Sequence, residues 1–305
     1  MSIGFTVLNQ VLMMFSLMLV GYILYTRKLL DETGTAQLST ILLQLCTPAI
    51  IINSFNIDFS FEVLSELGLS FGLALVSILI GLLIARLIFG KTHRIEQFAI
   101  TFSNVAFFGI PLVSGLLGNE YVTYLSTFIL AFNLLIWTVG LFLVTGDKSV
   151  MSLSKFFRTP AFIGMALGFI LFISPIKMSG FIQQSVASIS AINTPIAMLL
   201  LGTYLAKSKL VDIFKNKHVY TIAFLRLILI PMIVFGLLSL LPNLQAEIRL
   251  VILIATSAPT ATTLAIFSQK YGDDYTYGAQ IISFTNIMCL FTIPILVTLA
   301  YSAWI

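Results

Sequence analysis

"SNVAFFGIP", Ser103–Pro111, is the stretch on which the fold turns. It lies inside an apolar run, residues 97–117, that is long enough to cross a bilayer. Asn104 brings amide donors and an acceptor into that run, Gly109 weakens a helix, and Pro111 removes a backbone donor and clashes with the preceding turn. Irregular backbone at membrane depth is tolerated only where it is buried in protein or lines a cavity. The stretch therefore predicts a helix opened at Gly109 and Pro111, with Asn104 turned towards something polar.

The rest of the chain provides the membrane setting. Of 305 residues, 59% are hydrophobic and only 9% are charged, whereas a soluble domain carries about 25% charged residues. These charges are too few to cover a water-facing surface, so lipid is the solvent for most of the chain. Ten apolar spans are expected near residues 5–26, 37–56, 67–89, 97–117, 122–145, 159–176, 181–206, 219–241, 249–268 and 277–301. No long hydrophilic loop separates them, so residues 1–305 read as one membrane domain. The first span lacks a basic leader and a small-residue cleavage site, and reads as a retained helix. Cys46 and Cys289 both fall inside apolar runs and read as packed free thiols.

The net charge of +4 resides in short loops, where it signals topology rather than nucleic-acid binding. Arg27 and Lys28 follow the first span; Arg86, Lys91 and Arg94 the third; Lys148, Lys155 and Arg158 the fifth. Lys207, Lys209, Lys215 and Lys217 follow the seventh, and Lys270 the ninth, against only Lys177 and Arg249 on the other side. The positive-inside rule then predicts a multi-pass protein of the cell membrane with both termini outside. The halves also echo each other. "GYIL" at Gly21 returns as "GFIL" at Gly168, and "CTP" at Cys46 as "NTP" at Asn193, both 147 residues later. "GNEY" at Gly118 returns as "GDDY" at Gly272, 154 residues later. Two five-span repeats, about 1–146 and 159–305, must insert with opposite topology because each has an odd number of spans.

In inverted-repeat transporters the substrate lies near the midplane at interrupted helices. The fourth span offers Asn104, Gly109 and Pro111; the ninth offers Ser257, Pro259, Thr260, Thr262 and Thr263. Thr47-Pro48 and Thr194-Pro195 interrupt the second and seventh. A broken helix frees N–H groups at the start of its second half, and these with the helix dipole favour an anion such as a carboxylate. Asn133 and Asn286, at nearly corresponding places, either line the site or bond between helices. Arg226, inside the eighth span, either snorkels to the cytoplasmic face or attracts an anion. No Asp or Glu lies mid-span as an obvious proton carrier, and His93 and His218 are too far apart in sequence to suggest a metal pair.

"NVAFFGIPLVSGLLG", Asn104–Gly118, resembles the corresponding segment of the plant PIN auxin carriers, and "SAPTATTLAIFSQKYG", Ser257–Gly272, is similar to their penultimate span. Gly21–Phe55 looks like bacterial members of the auxin efflux carrier family. This resemblance implies an all-α fold of two inverted five-helix repeats, related to the bile acid sodium symporters, with broken helices 4 and 9 crossing at the substrate. It also implies a scaffold of spans 1, 2, 6 and 7, a moving domain made of the rest, homodimers through the scaffold, and small organic anions such as malate as cargo. The short 146–158 connection carries none of the large loop of the plant carriers.

The function expected is a secondary transporter of organic anions, with an anion channel or a membrane sensor on the same fold as alternatives. A channel needs a continuous wetted path, which the few polar positions do not supply. An intramembrane enzyme needs a nucleophile with its base or a set of metal ligands, and neither is present at membrane depth. No cofactor or metal is expected.

Overall fold

The computed structural model describes residues 3–174, 177–207, 216–271 and 275–305. Besides the short helical turns Lys148–Val150 and Leu153–Phe157, their helices are α1 (Ile3–Thr26), α2 (Glu32–Ser54), α3 (Phe61–Phe89), α4 (Arg94–Thr101), α5 (Val105–Leu116) and α6 (Asn119–Thr145). There follow α7 (Pro160–Ile173), α8 (Gly180–Lys207), α9 (Lys217–Ser239), α10 (Ala246–Ser257), α11 (Thr263–Tyr271) and α12 (Tyr275–Trp304). Among the described residues seven helices are long and apolar enough to cross a membrane: α1, α2, α3, α6, α8, α9 and α12. The protein is an all-helical membrane protein with shorter helices between the long ones. Lys209, Lys215 and Gly272–Asp274 lie outside the described residues.

Local sequence sets where these helices begin. Asp31 caps α2 by accepting from the Gly34 amide at 2.8 Å, Ser60 caps α3 by accepting from Val63 at 3.1 Å, and Thr159 caps α7 ahead of Pro160. Each cap satisfies an N–H that has no intrahelical carbonyl. Gly90, at φ +65°, ends α3 in a conformation that glycine adopts without strain.

Two of the expected spans are each divided. The run 97–117 is α4 and α5 with extended backbone between them, and 249–268 is α10 and α11 separated at Ala258–Thr262. In the first pair the opening is at Phe102–Asn104, not at Gly109 and Pro111. Val105–Gly109 is π-helical, and the Ile110 amide bonds back to the Val105 carbonyl. Pro111 therefore falls in the first turn of the resumed α-helix, where its missing N–H costs little. Pro48 follows the π-helical turn Leu42–Cys46, and Pro231 follows Leu225–Leu229, in the same way. All three prolines are accommodated by a local widening of the helix rather than by a break.

Helices from the two ends of the chain pack face to face. A β-carbon on Gly21 would overlap the Leu199 carbonyl, and one on Gly202 the Met18 carbonyl, so α1 and α8 cross with their backbones in contact. A β-carbon on Gly164 would crowd Pro48, and one on Gly168 the Phe55 ring, which brings α7 onto α2 in the same manner. These pairs flank the core that holds α4, α5, α10 and α11, most of whose side chains are buried. The exposed large side chains of α1, α3, α7 and α9, such as Leu19, Leu83, Ile170 and Phe224, are apolar and suit contact with lipid.

Candidate substrate-binding site

The two divided helices meet at their openings. Ser103 and Thr260 face each other as an antiparallel bridge: the Asn104 amide donates to the Pro259 carbonyl at 2.7 Å and the Ala261 amide to the Phe102 carbonyl at 2.9 Å. The backbone freed by one break thus satisfies the other, as it must away from water. Two further bonds fix Thr260. Its amide donates to Thr285 Oγ1 at 3.2 Å, and its hydroxyl donates to the Ala99 carbonyl at 3.0 Å.

A cavity of about 280 Å³ lies against this crossing. Asn104, Val105 and Ala106 from the first turn of α5, and Thr262 and Thr263 from the start of α11, line it together. Those first turns carry amides without intrahelical acceptors and the positive ends of two helix dipoles. Asn104 is 4% exposed, and its Nδ2 donates to no group among the described residues. A donor left unbonded at such burial is expensive unless a ligand accepts from it. Ser103, Thr47 of α2, Asn133 of α6 and Thr159 add to the polar lining, Asn133 Nδ2 donating to the Ile129 carbonyl of its own helix at 2.8 Å. Phe107, Phe132, Trp137 and Phe267 make most of the remainder apolar.

Five of the residues expected from sequence are thus gathered at one cavity: Asn104, Thr47, Asn133, Thr262 and Thr263. Pro259 and Thr260 build the crossing behind it. Ser257 donates to the Leu253 carbonyl within α10, and Gly109 packs inside α5 against Val105 and Leu125. Pro111 and Thr194 border a different cavity with Gln10 and Asn53, and Gln10 Nε2 donates to the Pro111 carbonyl at 3.1 Å. Asn286 is buried, and neither Oδ1 nor Nδ2 of its side chain has a partner among the described residues. Arg226 lies behind the crossing, each of its three guanidinium nitrogens donating to a backbone carbonyl.

Several contributors carry no sequence signal. Thr285 holds Thr260 across twenty-five positions, and Asn193 Nδ2 reaches Thr47 Oγ1 at 3.4 Å across 146. His93 and His218, distant in sequence, stack with ring centroids 5.9 Å apart, and His218 Nδ1 sits 3.8 Å from Glu96 Oε1. Glu96 is itself buried and accepts from the Tyr277 hydroxyl.

The divided helices thus cross inside an all-helical membrane protein, beside a cavity. A family model described as membrane transport protein matches residues 6–297, nearly the whole chain. The chain belongs to the auxin efflux carrier family. A comparison with curated proteins gives no match. As a member of that family the protein is a membrane transporter and not an enzyme, and its substrate is a small molecule. The matched region includes both divided helices and every residue that lines the cavity.

Proposed function

We propose that this carrier moves small organic anions, carboxylates such as malate or auxin-like acids, across the cell membrane by alternating access. The carrying observation is the convergence of two helix N-termini and the unbonded Asn104 amide donor on one 280 Å³ cavity. Positive dipole ends and N–H donors favour an anion, while the aromatic lining suits the apolar remainder of the molecule. In this reading ten spans form two inverted repeats of about 1–146 and 159–305, in a single domain. The packing of α1 on α8 and of α7 on α2 supports it, since a two-fold relation exchanges those pairs. Spans 1, 2, 6 and 7 (α1, α2, α7 and α8) are the scaffold and the dimer surface, and the crossing moves against them. The basic loops lie in the cytoplasm and both termini outside. The cavity runs from Asn104 towards Thr159–Ala161, beside the basic Arg158, which suits a cytoplasm-facing state.

The test is counterflow. Proteoliposomes preloaded with unlabelled malate should take up radiolabelled malate transiently above equilibrium, with saturable initial rates, and malonate should compete. Uptake that stays linear with concentration would indicate a channel. No carboxylate-dependent uptake at all, from protein shown to be folded, would end the organic-anion assignment.

A further inference from the structure

Arg226 stands on the π-helical turn Leu225–Leu229 of α9 and is 2% exposed. Its guanidinium meets three backbone carbonyls: Nη1 donates to Ile100 at 3.0 Å, Nη2 to Thr256 at 2.7 Å and Nε to Ala258 at 3.1 Å. Ile100 closes α4, and Thr256 and Ala258 close α10. Arg226 makes no ion pair among the described residues. A buried cation without a carboxylate is costly, and here the compensation comes from the negative ends of two helices and the carbonyls left over there. One side chain therefore serves both half-helices, and the widened turn brings the whole planar fork to bear on them.

A crossing of two divided helices has four poles. The C-termini of α4 and α10 are negative, and the N-termini of α5 and α11 are positive. With all four bare, the fields oppose one another at the centre, and neither sign of solute is favoured. We propose that Arg226 neutralises the two negative poles and so sets the sign of the field in the cavity, making it selective for anions without touching the substrate. Arg226 is then a positioning residue for charge selectivity. It rests on the carrier reading above, but it concerns the field of the empty site and can be measured without knowing the substrate. The clamp joins α4, α9 and α10, all in the proposed moving part, so the positive cavity keeps its sign as it moves.

The field can be read with charged thiol reagents. In a background with Cys46 and Cys289 replaced, Ala106→Cys places a thiol in the first turn of α5, and Ile266→Cys places one on α11 at the cavity's rim, where Ile266 is 47% exposed. The measured quantity is the ratio of reaction rates with 2-sulfonatoethyl and 2-trimethylammonioethyl methanethiosulfonate, each normalised to a free thiol. The ratio cancels thiol reactivity and access common to both reagents. With Arg226 present it should exceed one. Arg226→Met should lower it about tenfold at Ala106→Cys, or by less at the solvated rim, and Arg226→Lys, which keeps the charge, should hold it within about twofold. A ratio unchanged in Arg226→Met would overturn the inference and leave Arg226 as packing alone. If Arg226→Met does not yield monodisperse protein, Arg226→Lys decides: the planar fork is lost and the charge stays, so a ratio that collapses there overturns the inference equally. If the deep thiol reacts with neither reagent, the rim thiol gives the ratio. A ratio that depends on Arg226 in a protein that fails to exchange malate keeps the field and rejects the substrate assignment.

Discussion

Asn104 is the residue on which recognition should turn. Its backbone amide is committed to the Pro259 carbonyl, a bond that Ala or Asp at this position keeps, while its Nδ2 has no partner among the described residues and is open to a ligand. Losing one hydrogen bond to a charged group costs about 1.5–3 kcal/mol, or roughly ten- to a hundredfold in affinity. Asn104→Ala should raise the dissociation constant for malate by about that factor. Asn104→Asp should weaken binding further, since it sets a carboxylate against a carboxylate. Equilibrium binding to purified, monodisperse variants measures both, and equal affinities in all three proteins would mean that the cavity holds its ligand elsewhere. At this scale the sequence is informative about polar residues that stand out against an apolar run, as Asn104, Thr262 and Thr263 do. It is silent about direction. Arg226 is as conspicuous in the sequence as Asn104, yet it points at helix C-termini rather than at the cavity, and only the three carbonyl distances reveal that.

The divided helices show what a sequence can and cannot say about an element. Gly109 and Pro111 mark the right span, but the opening lies one to two turns earlier, at Phe102–Asn104. Proline is a breaker only when nothing widens the helix before it, and the π-helical turn Val105–Gly109 does so here. In the ninth span no such turn precedes Pro259, and the helix does end, at Ser257. The extended segments then depend on side chains from elsewhere. Thr285 of α12 is one: its Oγ1 accepts the Thr260 amide, buried on every side. Thr285→Val keeps the shape and removes the acceptor, leaving a buried N–H unpaired at a cost of about 1–3 kcal/mol. The variant should melt below the parent protein in detergent, whereas Thr285→Ser, which keeps the oxygen, should recover most of the loss. If Thr285→Val melts with the parent, the amide has found another acceptor and the crossing is more plastic than this geometry implies.

At the scale of the whole molecule, two signals in the sequence reinforce each other. Apolar runs give the helices, and the echo of "GYIL" in "GFIL" places Gly21 and Gly168 where helices from the other end of the chain press close. A contact such as Gly21 with Leu199 is unreadable in one dimension, because its meaning depends on a partner 178 positions away that the repeat alone suggests. Orientation rests on a different quantity, the bias of Lys and Arg among short loops, which acts on insertion rather than on packing. From that bias we propose that Lys155 lies in the cytoplasm and Glu62 outside. Both are exposed, so Lys155→Cys and Glu62→Cys can each be labelled in a background without Cys46 and Cys289, themselves buried. In intact cells an impermeant maleimide should label Glu62→Cys at once and Lys155→Cys only after the membrane is opened. The opposite pattern would invert the carrier while keeping its fold. Labelling of both from outside would place an even number of crossings between residues 62 and 155. Three crossings are needed there (α3, the α4–α5 pair and α6), so that result would remove one of them and with it the inverted relation of the two halves.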